Sequence, residues 1–115
     1  MARYKHTARL RHEAEQKAQA ARRERAWQLA RQAAVLLKKQ YGVERVMLFG
    51  SLTHPDRFTH RSDVDLAAWG LTAANWLRAI TAVQKLSAEI EVNLVDVNCC
   101  APELLAVIER EGVLL

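Results

Sequence analysis

Gly50-Ser51 closes an apolar run, Val46-Met47-Leu48-Phe49; eleven residues intervene, Leu52 to Ser62, before Asp63-Val64-Asp65 leads into a second apolar run. This pairing suits a nucleoside triphosphate held together with a divalent metal. Gly50 lacks a Cβ, so its backbone can approach a ligand closely. Ser51 offers a hydroxyl and a main-chain N–H, and free N–H groups at the start of a helical turn favour phosphate. Asp63 and Asp65 stand two apart on a predicted strand, which puts both carboxylates on one side. Such neighbours repel each other unless a cation lies between them, and hard oxygen ligands suit Mg²⁺. Each motif has a plainer alternative, an ordinary strand-to-helix turn and a pair of solvated edge-strand acids. The apolar neighbours Val64, Leu66 and Ala67 argue for an interior strand instead.

The elements that must position these residues are readable in outline. From Thr7 to Gln40 there is no Pro or Gly, and good helix formers dominate. Trp27, Ala30, Ala34, Leu37 and Tyr41, flanked by Leu29, Ala33 and Leu36, predict an apolar face on the second half of this helix. Leu10, Ala14, Ala18 and Ala21 give the first half only a thin stripe, so that half is expected to project or fray. Tyr41-Gly42 supplies the stop. A strand is predicted over Arg45 to Phe49, then a loop from Gly50 to Arg61 with one helical turn at Ser51–His54. The second strand runs from Asp63 to Trp69. Thr72 is a candidate N-cap for a helix over Ala73 to Ser87. A third strand covers Glu91 to Val97, a last helix Pro102 to Glu111, and Val113-Leu114-Leu115 adds a short apolar strand or tail.

The loop after Ser51 is too short for a crossover helix, so the first two strands should be antiparallel, which brings Ser51 beside Asp63 and Asp65. The later helix allows strand three to run parallel to strand two. The expected fold class is α+β with α/β-type alternation. It is a small mixed sheet with helices mainly on one face and a long N-terminal helix.

Composition narrows the classes. The 115 residues suffice for one domain with a core, and half are apolar. No apolar run approaches the ~20 residues of a membrane span, and the basic N-terminus lacks the apolar stretch of a secretory signal. Cys99 and Cys100 are neighbours in sequence, which gives no disulfide framework. These features predict a cytoplasmic chain with reduced thiols and no membrane partner. Residues 1–40 hold eleven Lys/Arg and three Glu, a net of +8; residues 41–115 hold six Lys/Arg and ten Asp/Glu, a net of −4; together they give the overall +4. The expected organisation is a basic helical arm at 1–25 joined to a domain at 26–115. The arm reads as a solvated helix or a docking element for an acidic protein; the acidic domain argues against nucleic acid. His54, Arg57, His60 and Arg61 crowd the loop between the motifs, and any of them could be solvated or touch phosphate.

Leu48-Phe49-Gly50-Ser51 with Ser62-Asp63-Val64-Asp65-Leu66 resembles the minimal nucleotidyltransferases of the DNA polymerase β superfamily, over roughly Ala26 to Leu115. Val92-Asn93-Leu94-Val95-Asp96 and Glu109-Arg110-Glu111-Gly112-Val113-Leu114-Leu115 are similar to the closing pattern of small members. The resemblance implies a nucleotidyltransferase fold, with Gly50, Ser51 and Arg61 at the nucleotide. It also implies ATP as substrate and two Mg²⁺ on Asp63 and Asp65. Small members of this kind act as antitoxins beside a helical HEPN-type ribonuclease toxin and transfer AMP from ATP to it. The chain is too short to carry the separate substrate domain of antibiotic or tRNA nucleotidyltransferases. A homo- or hetero-oligomer is compatible with the sequence.

One position departs from the family. Its third acid, on the third strand, is here Asn93, which is neutral and a poor Mg²⁺ ligand. Glu91 shares the predicted face of Asn93, whereas Asp96 points to the opposite face of a regular strand. Two readings follow: a transferase with altered or reduced turnover, or a nucleotide-binding antitoxin that masks its partner by binding alone. Small-molecule transfer, as in antibiotic adenylylation, is a third and would need a pocket completed by another chain.

Overall fold

A computed structural model describes residues 2–115, with side chains described from Thr7 onward. Helix α1 spans Ala2–Tyr41, longer at both ends than the expected Thr7–Gln40. Its C-terminal stretch buries Ala26, Leu29, Ala30, Ala33, Ala34 and Leu37, an i, i+3, i+4, i+7 stripe in small and branched residues. Residues 7–21 are exposed on every side. Gly42, at φ +64°, turns the chain out of the helix, where a Cβ would be strained.

Strands β1 (Arg45–Phe49), β2 (Val64–Trp69), β3 (Val92–Asp96) and β4 (Val113–Leu114) form one sheet in the order β3-β2-β1-β4. β1 runs antiparallel to both β2 and β4, and β2 runs parallel to β3, as the loop lengths require. Val46, Leu48, Val64, Leu66, Ala68 and Val92 project into the main core, where α1 and helix α2 (Trp76–Gln84) cover them with Ala79 and Val83. Helix α3 (Pro102–Glu111) packs against β1, and its buried Ile108 lies outside that main cluster. At its end Gly112 sits so close to the Ile108 carbonyl and Met47 that no Cβ would fit.

Several boundaries of the later elements differ from expectation. α2 begins at Trp76 rather than Ala73, because Asn75, not Thr72, is its N-cap residue. Asn75 Oδ1 accepts from the Thr72 N–H at 2.9 Å while its Nδ2 donates to the Tyr41 carbonyl at 3.2 Å, which holds residues 72–75 as a turn against the end of α1. α2 also stops at Gln84 instead of Ser87. β3 ends at Asp96, one residue before the expected Val97, because Asp96 caps a short 3₁₀ turn over Val97–Cys99. β2 starts at Val64, leaving Asp63 immediately before the strand. Cys99 and Cys100 are both free. No helix among the described residues is long and apolar enough to cross a membrane.

Candidate active site

The site is assembled by strand register on the sheet face opposite the main core. Along β2 the core takes Val64, Leu66 and Ala68, so Asp65, between them, projects the other way. Phe49 pairs with Asp65 and Asp65 with Asn93, one continuous rung across three strands. Gly50 follows Phe49, and Asp63 precedes Asp65 by two. Gly50, Asp63, Asp65 and Asn93 therefore meet at one end of the two central strands.

Gly50 is required twice over. Its φ of +80° and ψ of −155° lie in a region that side chains disfavour. A Cβ there would stand 2.5 Å from Asp65 Oδ2. Its carbonyl accepts from the Thr53 N–H at 3.2 Å and from the Thr53 hydroxyl at 2.7 Å, which locks the 3₁₀ turn over Ser51–Thr53. Leu52, fully buried, and Phe58 anchor the loop to the core. The Ser51 side chain stays half-exposed at the opening of that turn, beside Gly50. The expected turn at Ser51–His54 is thus present and one residue shorter.

Asn93 Nδ2 donates to Asp65 Oδ1 at 3.2 Å and makes a longer contact with Asp63 Oδ2 at 3.5 Å. One amide thus touches both carboxylates. Burial holds the Asp65 carboxyl above the ordinary carboxylate range; the Asn93 hydrogen bond opposes that rise, and the charges of Asp63 and Glu91 add to it. This is a carboxylate short of positive charge, the condition that a divalent cation would relieve. The donors, two carboxylates beside an open glycine turn, fit a hard cation that is also held by phosphate oxygens. Among the described residues no three His, Cys, Asp or Glu side chains gather as a metal-ligand set.

The other sequence candidates separate. Asp96 is engaged elsewhere: its Oδ1 accepts from the Asn98 N–H at 3.0 Å and its Oδ2 from Cys99 Sγ at 3.8 Å. Glu91 is exposed and acts on Asp65 through its charge. Arg61 is exposed; its backbone N–H donates to Thr59 Oγ1 at 3.2 Å, and no ion pair joins its side chain to the acids. His54 lies 3.9 Å from Glu111 and ties the loop to α3.

Two contributors escaped the sequence reading. Thr53 locks the turn, and the signal was its hydroxyl three residues after the glycine. Arg22 lies in the helical arm expected to project, yet its Nη2 donates at 3.2 Å to the carbonyl of Ser62, the residue before Asp63. Nothing in the composition of that basic stretch singles it out.

The polymerase beta nucleotidyltransferase family profile matches residues 31–115. The chain belongs to this family. Members in general use a nucleoside triphosphate and a divalent metal. Two similar solved structures share the fold, both crystal structures of mutants of a toxin–antitoxin, MntA–HpeT. One, a double aspartate-to-glutamate mutant, has a TM-score of 0.59 at 17% identity, with 74% of this chain and 70% of that chain covered. The other, a tyrosine-to-alanine mutant, has a TM-score of 0.53 at 21% identity, with 71% and 66% covered. No curated protein matches the chain.

Proposed function

We propose that this nucleotidyltransferase transfers AMP from ATP to a partner protein, and that the partner is a HEPN-type ribonuclease toxin to which the chain is the antitoxin. The observation that carries the proposal is the meeting of Gly50, Asp63 and Asp65 at one end of the two central strands, beside the Phe49–Asp65–Asn93 rung. The toxin–antitoxin neighbours support the choice of partner.

In this reading the Gly50 turn lets the triphosphate lie against backbone that no Cβ obstructs. Ser51 donates its hydroxyl to a phosphate oxygen. Asp63 and Asp65 would hold Mg²⁺, which when bound would neutralise charge on the phosphates and favour loss of the acceptor proton. The acceptor oxygen bonds to the α-phosphorus as the bond to pyrophosphate breaks, and the hydroxyl proton leaves to water. Asn93 keeps the acids oriented and takes no proton. Catalysis here rests on positioning and electrostatics. Arg61, exposed on the loop between the two motifs, is assigned to the nucleotide's outer edge. A cytoplasmic location fits the free thiols and the need for ATP.

The test is co-purification with the adjacent gene product, followed by ATP and Mg²⁺ and intact-mass analysis. One added AMP residue on the partner is expected. No adduct with any divalent metal removes the transferase claim. A second reading, neutralisation by binding alone, is favoured by the neutral Asn93. A complex that forms equally well without ATP, and survives Asp63→Ala, selects it.

A further inference from the structure

The amide of Asn93 does more than stand where the family keeps an acid. Its nitrogen lies within 3.2 Å of Asp65 Oδ1 and 3.5 Å of Asp63 Oδ2. A donor is therefore directed at the space between the two carboxylates. We propose that Asn93 makes this a one-ion site: the neutral amide clamps the acid pair and leaves negative charge for a single divalent cation bound with the nucleotide. The inference rests on the reading of Asp63 and Asp65 as metal ligands.

Charge and geometry both argue for it. The three side chains carry −2, which one divalent ion neutralises; a carboxylate at this position would make −3 and invite a second ion. In a planar amide the oxygen points away from the nitrogen's partners. Asn93 could offer that oxygen to a metal only by rotating and surrendering both contacts to the acids. Nor does another acid fill the gap. Asp96 is held by the Asn98 N–H and Cys99 Sγ. Glu91 is solvent-exposed and makes no hydrogen bond to the pair, while its backbone carbonyl accepts from the Val64 N–H at 2.9 Å. A clamp of this kind orders the acids before the metal arrives, at the expense of the second ion.

The experiment counts bound Mn²⁺ by electron paramagnetic resonance. It uses the full chain, saturated with an ATP analogue in which CH₂ replaces the oxygen between the α- and β-phosphorus. One protein-bound Mn²⁺ per chain is expected for the natural sequence, and two for Asn93→Asp. Glu91→Gln should leave the count at one. Two ions on the natural sequence overturn the inference while leaving the nucleotide site intact. A count that stays at one in a folded Asn93→Asp chain overturns the assignment to Asn93. If Asn93→Asp does not fold, the count on the natural sequence decides alone. No bound Mn²⁺ on either protein overturns the reading of the acid pair itself.

Discussion

The two faces of β2 differ in chemistry at the end nearest Gly50, although Ala67, farther along the Asp65 face, is itself fully buried. One face presents Val64, Leu66 and Ala68, all fully buried beneath α1 and α2. The other presents Asp65, a half-buried carboxyl against Gly50 and Asn93. A strand's period of two lets one five-residue segment anchor the core and carry the chemistry at once. Stability and function are therefore separable here by single alternate positions, and substitutions on the two faces should have opposite signatures.

The largest effect on stability belongs to the core face. Leu66→Ala should cost about 2–5 kcal/mol in urea unfolding, through lost burial and the cavity left behind. A loss under that range would mean that α1 and α2 collapse onto the site readily, and the contrast between faces would weaken. Gly50→Ala comes next. The positive φ and the approach of Asp65 should cost about 1–3 kcal/mol and abolish nucleotide binding, because the acid must move aside. Binding at natural affinity in that variant would show that the turn does not cradle phosphate.

The site face should respond with the opposite sign. Folding raises the Asp65 pKa above the ordinary value of 3.8. Stability from this group is therefore full below that value and is lost as pH rises through the raised one. The metal-free chain should be less stable at neutral pH than its Asp65→Asn variant, and the gap should close in acid. Equal melting temperatures at both pH values would place Asp65 in an unstrained setting. The smallest effect is expected outside both faces: Leu10→Ala, on the exposed part of α1, should change stability by less than about 0.5 kcal/mol.

Much of this contrast was legible in the order of residues. The apolar runs at Val46–Phe49 and Val64–Trp69 give strands, the short loop between them forces an antiparallel pair, and the spacing of Asp63 and Asp65 gives a shared side. The core stripe of α1 follows from the 3.6-residue period. Helix ends were less visible, because Thr72 and Asn75 are both good caps and only the Tyr41 carbonyl, distant in sequence, decides between them. The reach of Arg22 to Ser62 was hidden for the same reason: a contact across 40 positions leaves no local pattern. The hydrogen bonds of Asp96 to its own turn retire it as a substitute acid, and a residue-by-residue alternation could show only its direction.

Calorimetric titration of the natural chain with an ATP analogue, with and without Mg²⁺, decides whether Gly50, Asp63 and Asp65 bind a metal-nucleotide. Heat of binding should appear only with the metal and vanish in Asp65→Asn, a variant expected to stay folded and to gain stability at neutral pH. Metal-independent binding, or binding that survives Asp65→Asn unchanged, would contradict a nucleotide site built on this rung of the sheet.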